Sequence, residues 1–272
     1  MADNNPDCPD TAKAFVPLGT YNFTPHHFQR RQLTNRHQFF PENNPTVMTS
    51  LLHNLGLPPN IGFSDIYSLT EPDLLALVPR PSRALLLVFP ISPTYEAGRV
   101  EEDTTIPAYE GSGPDEPVMW FKQTIKNACG LIGLLHAAAN GGVRDYVIPG
   151  SDLDKLLKEA EGLKPVERAE LLYQSKALEA AHANAAAKGD SEAPAAESSL
   201  DLHFVCFATG KDGHLYELDG RRKGPLDRGL LPEGEDVLGE KALALGPLRF
   251  LEREKAGGDL RFSCVSLGEL FD

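Results

Sequence analysis

The stretch Asn127-Ala128-Cys129-Gly130-Leu131-Ile132-Gly133-Leu134-Leu135-His136-Ala137-Ala138-Ala139-Asn140-Gly141-Gly142 reads as one helix buried on most sides. Asn127 is a residue type that caps helix N-termini, Asn140-Gly141-Gly142 is a C-terminal stop, and the Ala- and Leu-rich body has no polar face. Upstream, residues 83–91 form a continuous apolar run of strand length, which predicts a strand buried on both sides. Downstream, residues 202–208 and 214–218 flank Gly210-Lys211-Asp212-Gly213 and predict a β-hairpin, and residues 261–267 alternate as a final strand. Strands interleaved with helices, with a hairpin among them, favour a mixed sheet in an α+β arrangement.

The chain has 272 residues with 26 Lys+Arg against 39 Asp+Glu, a formal charge of −13. That balance argues against nucleic-acid binding, which needs clustered cations on the phosphates. The longest apolar run, Ala84-Leu85-Leu86-Leu87-Val88-Phe89, stops at Pro90. A bilayer span needs about 20 apolar residues, so no transmembrane helix and no membrane association are expected. Met1-Ala2-Asp3-Asn4-Asn5-Pro6-Asp7 lacks the basic flank and apolar stretch of a signal peptide, which predicts a soluble, intracellular protein. The cysteines Cys8, Cys129, Cys206 and Cys264 are far apart with no C-x-x-C pair. Neither a zinc site nor a disulfide framework is expected, and no metal or cofactor is implied.

The first forty residues read poorly as a core: Lys13-Ala14-Phe15-Val16-Pro17-Leu18 could enter a fold, but residues 19–41, with His26, His27 and His37 scattered through them, lack a sustained period. Asn44-Pro45 predicts a helix start, running to Leu55 with Gly56 as its C-cap, and a short helix is expected over 71–77. Residues 96–116 hold seven acids and one base, which reads as a solvated, mobile loop. Helices are expected over 152–160, 165–183 and 236–254. Residues 184–199 contain nothing large and apolar and are expected to be flexible.

Cys129 is the first candidate for chemistry. With Asn127 as the cap it is the second helical residue, where free N–H groups and the positive dipole end favour a thiolate, and Gly130 leaves room for a substrate backbone. The alternative is a small buried residue in an Ala/Gly-rich helix. A nucleophilic cysteine needs a base. His136 shares the helical face but lies about 10.5 Å along the axis, too far to take the proton, and is expected to be packed or hydrogen-bonded. His182 borders the flexible stretch, where its ring would not be held. His203 lies on the first hairpin strand, and a hairpin centred on Lys211 sets it directly opposite Asp219. That juxtaposition is the base-and-orienter arrangement of a triad, or else an ordinary surface His–Asp pair. Gln123, six residues before Cys129, could donate to an oxyanion beside the helix N-terminus.

Together these segments resemble the ubiquitin carboxyl-terminal hydrolase family of cysteine proteases. The carriers are Phe121-Lys122-Gln123-Thr124-Ile125-Lys126-Asn127-Ala128-Cys129-Gly130, Asp201-Leu202-His203-Phe204 and Gly213-His214-Leu215-Tyr216-Glu217-Leu218-Asp219-Gly220-Arg221. Leu55-Gly56-Leu57, Asp65-Ile66-Tyr67 and Val78-Pro79-Arg80-Pro81 are similar to landmarks upstream. The resemblance implies a single catalytic domain over residues 1–272 with a papain-like α+β fold: a central, mostly antiparallel sheet flanked by helices on both sides, with a knotted backbone, a rare feature. It implies hydrolysis of amide, ester or thioester bonds after the C-terminal glycine of ubiquitin. Cys129 would be the nucleophile, His203 the general base and acid, Asp219 the orienter and Gln123 the oxyanion donor. Residues 184–199 would be a crossover loop favouring small or unfolded leaving groups. The acidic surface suits ubiquitin's basic tail and face. A monomer in the cytoplasm, with access to the nucleus, is expected.

Two other readings are a non-catalytic protein that binds and sequesters ubiquitin, and a hydrolase of a ubiquitin-like modifier. One departure stands out: the family's aromatic-Leu-Pro-Leu-Glu and Asn-Pro pattern is split between Phe15-Val16-Pro17-Leu18 and Glu42-Asn43-Asn44-Pro45. Residues 19–41 between them read as an inserted loop or the translation of a retained intron.

Overall fold

The computed structural model describes residues 44–186, 202–255 and 260–271. The inserted segment 19–41 and most of the crossover segment lie outside them.

Helix α1, Pro45–Leu55, starts as expected: Asn44 caps it by accepting from Val47 N at 3.1 Å, and Gly56 ends it at φ 129°. Strand β1, Ile61–Ile66, and the short helix α2, Pro72–Leu75, lead into β2, Ser82–Pro90. From Ala84 to Phe89 every residue of β2 is fully buried, the double-sided burial its unbroken apolar sequence demands. Helix α3, Pro93–Thr104, precedes α4, Cys129–Ala139, all of whose residues are buried. Helices α5, Asp152–Glu161, α6, Pro165–Gln174, and α7, Lys176–Ala186, then lead to β3, Leu202–Thr209, β4, His214–Leu218, and β5, Leu226–Leu230. The chain closes with α8, Glu240–Leu245, α9, Pro247–Lys255, and β6, Ser263–Glu269.

Among the described residues the strands form one sheet in the order β1-β6-β2-β3-β4-β5, every neighbouring pair antiparallel. The last strand therefore sits between the first two. One face is covered by α1, α4, α5, α6 and α7, which share a core with Leu86, Val88, Phe204 and Cys206. The other face carries Leu85, Leu87, Phe89, Val205 and Phe207, packed with Tyr95 of α3, Leu243 of α8 and Phe250 of α9. No described helix is long and apolar enough to cross a membrane.

Several sequence expectations need correction. Part of the acidic segment 96–116 belongs to α3, which Ser92 caps by accepting from Tyr95 N. Most of its acids are paired with arginines or lysine rather than left to solvent. Arg99 bridges Glu96 and Asp103 along the helix, Arg222 meets Glu102, Asp103 and Glu217, and Arg228 joins Glu102 to Glu217. The segment 165–183 is two helices because Ser175 adopts an extended conformation (ψ 106°) and its hydroxyl accepts from Leu178 N at the next start. The segment 236–254 is also two. Its first residue, Asp236, is drawn off by Ser82 N and Leu238 N, and Gly246 breaks the helix just before Pro247. Helix α7 continues to Ala186, into the stretch expected to be flexible, and His182 is buried within it rather than loosely held.

Candidate active site

Asn127 does not cap α4. Its φ of 58° places it in the left-handed region, which asparagine tolerates but which an N-cap does not use, and Ala128 is the cap. Cys129 is therefore the first helical residue, one position earlier than expected, at the end where unsatisfied N–H groups favour negative charge. Its side chain is nearly buried, with Sγ 3.7 Å from the carbonyl oxygen of Leu202, the residue before His203. The other two described cysteines, Cys206 and Cys264, are buried in the sheet, where burial pushes their thiols far up into the neutral form.

Gln123 reaches this end of α4 because its segment runs back along the helix. Asn140 accepts from Met119 N (2.8 Å) and donates to Met119 O (2.9 Å), and His136 Nε2 accepts from Phe121 N (2.9 Å). His136 is thus the packed helix residue expected, with burial lowering its pKa to about 4. The backbone of Gln123 then bonds Gly220 (N to O, 2.8 Å), and the Trp120 indole donates to Asp219 O (3.1 Å). Gln123 is buried, its side-chain Nε2 donating to Ile125 O at 3.3 Å.

The imidazole Nε2 of His203 lies 2.8 Å from Asp219 Oδ1, with both side chains buried. The hairpin that unites them is not centred on Lys211. Thr209 pairs with Leu215 and Cys206 with Leu218, so the centre is Asp212, the loop being Lys211-Asp212-Gly213 with Gly213 left-handed at φ 78°. In that register Asp219 falls two residues from the position opposite His203. It still meets the ring because the ladder ends at Leu218 and an Asx turn follows, with Arg221 N donating to Asp219 Oδ1 at 2.9 Å. The second carboxylate oxygen, Oδ2, accepts from the hydroxyl of Tyr95 at 2.7 Å. Burial works to raise the Asp219 pKa, but the charge and hydrogen bond of His203, with Arg222 and the Arg221 N–H, hold it well below the usual carboxylate range.

Tyr95 was missed from sequence because it falls at the start of the segment next to the acidic run. The signal that could have found its helix is Ser92-Pro93, the same cap-plus-proline pattern as Asn44-Pro45.

A cysteine at a helix mouth whose sulfur contacts the strand that carries a buried histidine–carboxylate pair, with an amide donor on the adjoining segment, makes the constellation of a cysteine-type hydrolase. The sequence profile of ubiquitin carboxyl-terminal hydrolase family 1 matches residues 40–245, and the chain belongs to that family. Ubiquitin carboxyl-terminal hydrolase 3 of Arabidopsis thaliana is 41% identical over 235 residues, covering 84% of this chain and 92% of the relative. Ubiquitin carboxyl-terminal hydrolase YUH1 of Saccharomyces cerevisiae is 34% identical over 233 residues, covering 84% and 94%. The fold is shared with the crystal structure of the Trichinella spiralis UCH37 catalytic domain bound to ubiquitin vinyl methyl ester. That match has a TM-score of 0.61 at 20% identity, over 85% of this chain and 94% of that one. The papain-like α+β architecture expected from the resemblance is thereby borne out.

Proposed function

We propose that the protein is a thiol-dependent ubiquitin hydrolase in which Cys129, His203, Asp219 and Gln123 carry the reaction. The observation that carries the assignment is the buried 2.8 Å His203–Asp219 bond, formed one residue from the carbonyl that touches Cys129 Sγ. Nε2 of the imidazole is engaged by the carboxylate, which leaves Nδ1 as the nitrogen that exchanges a proton with the thiol. The thiolate attacks the carbonyl carbon after ubiquitin's last glycine, and the oxyanion draws on the α4 N-terminus and on the Gln123 amide, now lent to Ile125 O. His203 then gives its proton to the leaving amine, and the C–N bond breaks to leave a thioester. Water, deprotonated by His203, attacks that thioester and releases the carboxylate and the free thiol.

Residues 184–199 are proposed to restrict the leaving group. What supports this is connectivity: the segment starts on α7 and returns at Leu202, the residue in contact with the nucleophilic sulfur. Ubiquitin's basic tail and face suit the acidic chain, and a cytoplasmic monomer completes the proposal.

Release of a fluorophore from the ubiquitin C-terminus by wild type and Cys129→Ala, with ubiquitin binding measured alongside, tests the assignment. Loss of turnover with retained binding is expected. Turnover by the alanine variant overturns the nucleophile, and binding without turnover by wild type indicates a sequestering protein.

A further inference from the structure

Asp219 is gripped from both sides. Oδ1 accepts from His203 Nε2 and Arg221 N, while Oδ2 accepts from the Tyr95 hydroxyl at 2.7 Å, and Tyr95 and Asp219 are both essentially without solvent exposure. We infer that Tyr95 is a positioning residue for the reaction, fixing the rotation of the Asp219 carboxylate so that Oδ1 stays on the imidazole. The inference rests on the reading of Asp219 as the orienter of His203.

The torsion that turns a carboxylate about its Cβ–Cγ bond is broad and nearly twofold. One hydrogen-bonded oxygen leaves that torsion soft, and a donor on each oxygen defines it. The Tyr95 hydroxyl can act as such a donor because the ring itself is immobile. Its backbone N–H is held by Ser92 Oγ at 2.9 Å, and that hydroxyl donates onward to the buried Glu254 of α9 at 2.6 Å. Phe89 meets the ring edge-on at 4.7 Å between centroids, Phe250 lies at 6.0 Å, and the Arg253 guanidinium stacks over it at 5.3 Å. The His203 ring is itself a neighbour, 6.0 Å from Tyr95 and 5.7 Å edge-on from Phe89. Burial and the adjacent Asp219 push the phenol well above its ordinary range, so the proton stays on the tyrosine and the bond keeps its direction. A buried hydroxyl filling the core for packing alone could bond any nearby acceptor. This one spends its single proton on the carboxylate oxygen that the histidine does not use.

The test compares full-length Tyr95→Phe and Asp219→Asn with wild type on the ubiquitin–fluorophore substrate, together with the proton resonance of the His203 imidazole N–H that faces Asp219. Tyr95→Phe is expected to lower kcat about tenfold, a fraction of the roughly 10²–10⁴-fold supplied by a positioned proton-transfer group. KM should stay within about twofold, since ground-state binding is untouched, and the imidazole resonance should shift or broaden. Asp219→Asn should lower kcat further and displace the resonance altogether. An unchanged kcat and unmoved resonance in Tyr95→Phe, with Asp219→Asn impaired, overturns the role of Tyr95 and leaves the triad standing. Full activity in Asp219→Asn overturns both. Should the phenylalanine variant fail to fold, 3,5-difluorotyrosine placed at position 95 keeps the shape and strengthens the donor. A displaced imidazole resonance then supports the inference, and an unmoved one refutes it.

Discussion

One methyl group at Gly220 would land in the joint between Asp219 and Gln123, the proposed orienter and oxyanion donor. A Cβ built there lies 2.8 Å from Ile132 Cγ2, 3.0 Å from Gln123 Cβ and 3.2 Å from Gln123 N. Carbon atoms settle at about 3.5–4.0 Å, so Gly220→Ala must open the joint by about 0.5–1 Å. The Ile132 side chain belongs to the rigid core of α4, which leaves the Gln123 segment as the part that yields, and with it the 2.8 Å bond from Gln123 N to Gly220 O. Overpacking of this kind costs about 1–3 kcal/mol, and the melting temperature should fall by about 2–4 °C for each kcal/mol. The larger consequence is catalytic. A 1 Å misplacement of a reacting group costs about 10²-fold, so kcat should drop about 10- to 10²-fold with little change in KM. The assay is steady-state release of a fluorophore from the ubiquitin C-terminus, run on Gly220→Ala, Gln123→Ala and the double variant. Gln123→Ala alone should lose on the order of 10²–10³-fold, and the double variant should lose no more, because the methyl acts through the amide that has been removed. A lowered melting temperature with unchanged kcat, or a double variant whose losses multiply, would refute the reasoning.

His203→Ala and Asp219→Asn are expected to cut kcat by about 10²-fold or more while ubiquitin affinity, measured by titration, stays near wild type. Arg222→Met should cost about 1–3 kcal/mol in denaturant unfolding, since it takes a buried cation from Glu102, Asp103 and Glu217 while Arg228 still meets Glu102 and Glu217 and Arg99 still meets Asp103. His136 is neutral in the fold, with a pKa lowered to about 4 by burial. Its unfolded form takes up a proton first as pH falls, so stability declines from about pH 6.5 to pH 4 and by about 3 kcal/mol for this group. His182, lowered to about 4 by burial as well, adds a second such contribution. His136→Gln should therefore show a shallower decline than wild type across that window. An equal slope in both proteins would show that His136 is already charged in the fold.

What the sequence revealed and what it hid divide along one physical line. Features fixed by neighbours in the chain were legible: the Asn44-Pro45 helix start, the Gly141-Gly142 stop, the apolar β2 run and the existence of the 202–218 hairpin. Features fixed by distant partners were not. The acidic residues of α3 read as a solvated loop until Arg222 and Arg228 are brought to them from the far side of the β3–β4 hairpin. Strand β1, with Gly62 and Asp65 inside it, finds its partner in β6 at the far end of the chain, and β5, Leu226-Asp227-Arg228-Gly229-Leu230, is an edge strand with a bulge and no clean alternation. The hairpin register was missed by two residues because a left-handed Gly213 turns a loop of three. Cys129, His203 and Asp219 were singled out by residue type and spacing, and with Gln123 they took their proposed roles from the family resemblance. Tyr95 was not, because a tyrosine next to an acidic segment has no signal until its hydroxyl is seen on Asp219.

The groups proposed to react come from opposite faces of one sheet, and this determines how the site responds to damage. Cys129 and Gln123 belong to the α4 face, whose core holds Leu131, Leu134 and Phe204. Asp219, Tyr95 and the ring of His203 belong to the α3 and α9 face, against Phe89 and Phe250. They meet only at the start of β3, where Leu202 O touches the sulfur on one side and the next side chain, His203, points to the other. Successive residues of a strand must project to opposite faces, so β3 itself delivers the histidine to the layer that lacks the cysteine. The two layers are joined there by two hydrogen bonds, from the backbone of Gln123 N to Gly220 O and from the Trp120 indole Nε1 to Asp219 O. A core mutation in either layer therefore reaches the chemistry by sliding one half of the site past the other. Its effect on kcat should track how far it moves those two hydrogen bonds, more closely than how much stability it removes.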